Sequence, residues 1–125
     1  MTTKTVAIVQ ARMGSSRLPG KVLKEVCGKS LIEILLHRLS FSKKIDKIIL
    51  ATPETKDNDH LVETVKKLGF EVFRGSEENV LDRYYQAAKI YNPISVVRIT
   101  GDCPLIDPSI VDKAIEHGSA VIQCN

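Results

Sequence analysis

The stretch QARMGSSRLPGK, from Gln10 to Lys21, gathers three cations and two glycines in twelve residues. Arg12, Arg17 and Lys21 have no acidic neighbour within it. Gly14, Ser15 and Ser16 are too flexible to start a helix, but they let a ligand approach backbone N–H donors closely. Arg17 can grip an oxyanion through two nitrogens, and Lys21 acts as a point charge. The chemistry of such a loop is phosphate binding. It is not the dinucleotide fingerprint, since no G-x-G-x-x-G follows the first apolar run. Nor is it a Walker A loop: five residues separate Gly14 from Gly20, and Val22 follows Lys21 where Ser or Thr is required. A second stretch, RITGDCPLID, carries the complementary charge. Gly101 permits a tight turn and Asp102 then projects a carboxylate. A carboxylate facing a cationic phosphate loop is explained by Mg²⁺, which takes one or two carboxylates together with phosphate oxygens and water. Asp107 precedes Pro108 and a helical pattern, so it reads as a cap rather than a metal ligand.

Charge placement supports a small polyanion as ligand. The net charge is +3, yet Ala11–Lys24 alone holds four cations and no acid. A nucleic-acid binder spreads its cations along a face or a helix, whereas a single cationic loop suits a small anion. A solvated surface loop has the same composition. What weighs against that plain reading is the position of the loop, directly after an apolar strand pattern.

The elements that must hold these loops follow from periodicity. TVAIVQ (5–10) is a short β-branched run of the kind found in buried parallel strands. Leu31, Ile32, Leu35, Leu36 and Leu39 recur at helical spacing behind a capping Ser30. KIILAT (47–52) is a second strand. Leu61, Val62, Val65 and Leu68 mark a second helix, closed by Gly69. FEVFRG (70–75) is a third strand, and NVLDRYYQAAKIY (79–91) a third helix with Val80, Leu81, Tyr84, Ala87 and Ala88 facing inward. ISVVRIT (94–100) is a fourth strand, DPSIVDKAIEHG (107–118) a fourth helix, and AVIQCN begins a fifth strand. Strand and helix alternate with short connections. The expected fold is one three-layer α/β/α domain over residues 1–125, with a mainly parallel, Rossmann-like sheet. In such sheets ligands sit at the carboxyl ends of the strands. Both candidate loops leave those ends, so they are expected to meet. The chain stops on an incipient strand, which makes it the expected amino-terminal part of something longer.

Composition excludes several classes. No apolar run approaches the roughly 20 residues of a membrane span, and Val6–Val9 is too short for a secretory signal core. Cys27, Cys103 and Cys124 make an odd, widely spaced set, which is neither a disulfide framework nor a zinc pattern. The expected location is cytoplasmic, with reduced thiols, no nucleic-acid partner and no membrane. His37, His60 and His117 form no catalytic or metal-binding pattern.

The stretch ARMGSSRLPGKVL resembles the signature loop of the sugar-acid cytidylyltransferases, approximately A-R-x-x-S-x-R-L-P-x-K. RGSEENVLDRYYQAA and VVRITGDCPLIDP are similar to the branch of that family that includes spore coat polysaccharide biosynthesis protein F. The three segments occur in the family's order and span nearly the whole chain. The resemblance implies a nucleotidyltransferase fold and the transfer of CMP from CTP to a sugar acid or related sugar, with release of pyrophosphate, in surface or spore-coat polysaccharide biosynthesis. It implies that Gln10, Ala11, Arg12, Gly14, Ser15, Ser16, Arg17, Lys21, Arg74 and Ser76 bind the nucleotide. Backbone groups along Val9–Ala11 would select cytosine. Arg17, Lys21 and Asp102 would serve the reaction, with Asp102 on Mg²⁺. Family members are longer than this chain, pair as homodimers through their later half, and draw a second metal carboxylate from it. Asp82 and Arg83 read as surface residues, and Tyr84 as core. Two alternatives stand beside this reading: a uridylyl- or guanylyltransferase on the same fold, and a non-catalytic nucleotide-binding or assembly domain.

Overall fold

A computed structural model describes residues 4–13, 20, 23–101 and 105–117, and the backbone of 120–122. Seven strands and four helices run in the order β1 (Thr5–Gln10), β2 (Glu25–Val26), β3 (Lys29–Ser30), α1 (Leu31–Leu39), β4 (Lys47–Pro53), α2 (Asp59–Lys67), β5 (Glu71–Gly75), α3 (Val80–Tyr91), β6 (Ser95–Thr100), α4 (Pro108–Glu116) and β7 (Ala120–Ile122). A single 3₁₀ turn, Lys56–Asn58, precedes α2.

Five strands form one sheet in the order β5-β4-β1-β6-β7, and every pairing in it is parallel. The chain moves outward from β1 through β4 to β5, then returns to place β6 on the other side of β1. Strand order therefore reverses between β1 and β6, the place where parallel α/β sheets open a crevice.

Two cores flank the sheet. On one face Ala7, Val9, Leu50, Val97 and Ile99 pack with Ile32, Leu35, Leu36 and Leu39 of α1, Leu61 and Val65 of α2, and Val111 of α4. On the other, Val6, Ile8, Ile49 and Ala51 pack with Ala87, Tyr84 and Ala88 of α3. The expected three layers are thus present, with three helices on one side and α3 alone on the other. The caps follow the sequence: Ser30 Oγ accepts from the Glu33 N–H, Asn79 Oδ1 from the Asp82 N–H, and Asp107 Oδ1 from the Ser109 N–H.

Three expectations need correction. Leu81 and Val80 are not inward: Leu81 is 63% exposed, while Arg83 is only 3% exposed. The inward face of α3 runs through Arg83 and Ala87, and Leu81 lies about 200° around the helix from Arg83 at 3.6 residues per turn. The surface reading of Arg83 falls for the same reason. The chain also forms a β2–β3 hairpin that the periodicity did not reveal. Its central residues, Cys27 and Gly28, have φ of 55° and 82°, as a tight hairpin turn requires.

Candidate functional site

The two loops expected to meet do so at the point where strand order reverses. The Gly101 N–H donates to the Gln10 carbonyl at 2.8 Å. A Cβ on Gly101 would stand 2.8 Å from the Ala11 Cβ and 3.1 Å from the Gln10 oxygen. Only a residue without a side chain lets β6 leave the sheet this close to the exit of β1. The Ala11 N–H donates to the Ala51 carbonyl at 3.2 Å, extending the parallel ladder one residue past β1.

Asn58 supports the next turn from below. Its side chain is buried, and its Oδ1 accepts from the Met13 N–H at 2.9 Å. Its Nδ2 donates to Thr55 Oγ1 at 2.9 Å and to Asp57 Oδ1 at 3.2 Å, so the amide orientation is fixed from both ends. The sequence reading missed Asn58 because nothing near it in the chain points to the exit of β1. Here the side chain caps nothing and serves a loop 45 residues away. The Gly20 N–H closes the far side by donating to the Met13 carbonyl at 2.8 Å.

The α3 side of this edge is strongly cationic. Arg83 donates through one terminal nitrogen to the Ser76 carbonyl at 2.8 Å, which fixes the turn between β5 and α3. Burial lowers the pKa of Arg83, and repulsion from Arg12 and Arg98 lowers it further. Arg98 lies 5.6 Å from the centre of the Tyr84 ring and reaches Gln10 Oε1 at 3.5 Å. Burial raises the Tyr84 phenol, and the Arg98 charge partly offsets it.

Several expected site residues fall outside the described residues: Gly14, Ser15, Ser16, Arg17, Lys21 and Asp102. Of the rest, Gln10, Ala11 and Arg12 stand at the exit of β1, and Ser76 at the start of the turn that Arg83 holds. Arg74 is placed differently. It is paired with Thr52 in the β4–β5 ladder, on the α2 side of the sheet. Its guanidinium is engaged by Asp59 Oδ1 at 2.7 Å and the Thr55 carbonyl at 2.7 Å, so it braces the β4–α2 connection. Asp107 is a helix cap, and its bonds from the Ser109 hydroxyl and N–H hold its carboxyl below the usual value. Among the described residues no group of three His, Cys, Asp or Glu could hold a metal. No carboxylate pairs with Arg12, Arg83 or Arg98 among them either. The described part of the edge therefore does not by itself fit a magnesium ion. That expectation rests on Asp102.

Comparison with known proteins gives this edge a context. A family model described as cytidylyltransferase matches residues 6–120. Spore coat polysaccharide biosynthesis protein SpsF of Bacillus subtilis is 43% identical over 87% of this chain and 47% of its own. A solved cytidylyltransferase from Leptospira borgpetersenii superposes with a TM-score of 0.87 at 43% identity, over 92% of this chain and 48% of that one. A CMP:2-keto-3-deoxy-manno-octonic acid synthetase, solved with CTP, superposes with a TM-score of 0.82 at 25% identity, over 92% and 47%. The chain spans about half the length of the relatives it matches.

Proposed function

Because the chain belongs to the cytidylyltransferase family, we propose that it acts in the transfer of CMP from CTP to a sugar acid or related sugar, with release of pyrophosphate. The observation that carries this reading is the contact of Gly101 with Gln10 and Ala11, which joins the two loops at the reversal of strand order. CTP lies over the first loop in this reading. Its triphosphate meets Arg12, Arg17, Lys21 and backbone amides of Gly14–Ser16, and its nucleoside lies towards the Ser76 turn. A hydroxyl of the acceptor attacks the α-phosphorus in line, the bond from that phosphorus to the α,β-bridging oxygen breaks, pyrophosphate leaves with the bonding electron pair, and the hydroxyl proton passes to solvent. Positioning and charge neutralisation provide most of the acceleration in such transfers. The chain's own cations supply that neutralisation, and Mg²⁺ on Asp102 and phosphate oxygens would add to it. Cytosine selection is assigned to backbone groups along Val9–Ala11.

The relative from Bacillus subtilis and the synthetase solved with CTP support, respectively, a role in polysaccharide biosynthesis and a sugar acid as acceptor. A cytoplasmic homodimer belongs to the same reading. No helix among the described residues is long and apolar enough to cross a membrane. A second reading, nucleotide binding without turnover, needs only the strand ends that Gly101 brings together. Titration calorimetry of the chain with CTP, UTP, GTP and ATP, with and without Mg²⁺, tests the first. CTP is expected to bind most tightly, and more tightly with Mg²⁺. Equal affinity for all four would remove the cytidylyl assignment.

A further inference from the structure

The α3 side of the strand edge gathers several hydrogen-bond donors among the described residues. Arg83 and Arg98 are donor-only groups. Because Arg98 approaches Gln10, the carboxamide must turn its Oε1 toward the guanidinium, and this aims its NH₂ away. That nitrogen, Gln10 Nε2, is buried and has no partner among the described residues. The Nε atoms of Arg83 and Arg98 are also buried without a partner among them. Arg12 stands close enough to act on the charge of Arg83. Buried polar groups in native proteins are nearly always satisfied, and clustered like charges repel. Donors gathered in this way, with no carboxylate among the described residues to meet them, call for a ligand that only accepts.

We propose that Gln10, Arg83 and Arg98 form an oxyanion subsite on the α3 side of the sheet, taking a planar carboxylate or a phosphate. Helix α1 packs on the opposite face of the sheet. Arg98 is half-buried and two residues below the end of β6, so the subsite opens toward solvent at the side of α3. Tyr84 lies beside Arg98, and the Ser76 carbonyl engages one terminal nitrogen of Arg83. Two guanidinium groups held in this way beside one carboxamide donor suit an acceptor with several lone pairs. Only the choice of candidate sources rests on the nucleotidyl-transfer reading: the carboxylate of an acidic acceptor, or a phosphate of the nucleotide or pyrophosphate.

The test is titration calorimetry of the chain with two probes, inorganic pyrophosphate and 3-deoxy-manno-octulosonate, beside thermal melting without ligand. Wild type, Arg98→Met and Arg98→Lys are compared. Arg98→Met is expected to weaken binding of one probe by about 10- to 100-fold, the range for losing a charged hydrogen bond, and Arg98→Lys to lie between it and wild type. Without ligand, Arg98→Met should melt no lower than wild type, because it relieves repulsion on Arg83 and keeps contact with Tyr84. Loss confined to the sugar acid identifies a carboxylate site, and loss confined to pyrophosphate a phosphate site. Loss of both identifies a shared site. Binding of neither probe to wild type, or binding that Arg98→Met leaves unchanged, overturns the proposal, and the cluster is then neutralised within the protein. If CTP fails to bind while either probe still depends on Arg98, the nucleotidyl reading falls and the oxyanion subsite stands.

Discussion

Gly101 and Ala11 stand so close that a single added methyl group on the first would overlap the second, at 2.8 Å between Cβ atoms. They come from strands separated by most of the chain. Their contact is the joint between the two halves of the candidate site.

Gly101→Ala tests this joint. The nearest atoms include the Gln10 carbonyl and the Ala11 Cα, which are backbone and cannot rotate aside. Overpacking of this kind costs roughly 1–3 kcal/mol. An unfolding free energy from denaturant titration lowered by that amount, with CTP affinity reduced alongside, is the expected result. A change below about 0.5 kcal/mol, the range of a neutral surface substitution, would mean that the loops part freely.

Asp112 gives a prediction in pH. It lies on α4 and accepts from the Ser42 hydroxyl and from the N–H groups of Lys43 and Lys44, so it ties the α1–β4 connection to α4. Burial pushes its carboxyl up, but the Ser42 hydroxyl, those N–H groups and the Lys44 charge pull it down further, and the net result is below the usual value. A carboxyl lowered on folding contributes stability above its unfolded pKa of about 3.9, and the contribution is lost as pH falls through the folded value. Asp112→Asn should therefore be less stable than wild type at pH 7. The two should converge under acid, below about pH 4. Parallel stability curves from pH 7 to pH 2 would show that the carboxylate does not hold the connection.

The phosphate loop is tested by two neighbouring lysines. Lys21 belongs to the stretch proposed to bind phosphate, whereas Lys24 lies beyond it, its carbonyl accepting from the Leu31 N–H at 3.0 Å at the start of α1. Lys21→Ala is expected to weaken CTP binding by about tenfold or more, as the loss of a charged contact does. Lys24→Ala should leave it unchanged. Equal losses at the two positions would mean that the segment works by bulk charge and not by placement.

Much of the architecture was legible because it depends on local rules. β-branched runs, amphipathic spacing and capping residues mark five of the strands and all four helices, and the strand-end rule correctly brought Gly101 to Ala11. The cationic wall was not legible. Arg83 sits between Asp82 and Tyr84 in a helix where an arginine ordinarily faces water. Its burial depends on the Ser76 carbonyl, which only the folded turn presents. Gln10 and Arg98 are 88 residues apart, and neither carries a local sign of the other. The β2–β3 hairpin has two residues per strand, too few for any alternation to register.

The central strand also sets an order of events. β1 pairs with β4 within the first half of the chain, but its other neighbour is β6, with Thr5 opposite Ser95. During synthesis, which proceeds from the amino terminus at about 5–20 residues per second, β1 leaves the ribosome several seconds before β6. Pairings this distant in sequence pay a large closure entropy before any contact repays it, and they form late. Until β6 docks, β1 carries one open edge, the kind of surface that recruits other unfinished chains. Completion of the crevice and protection of that edge are then the same step.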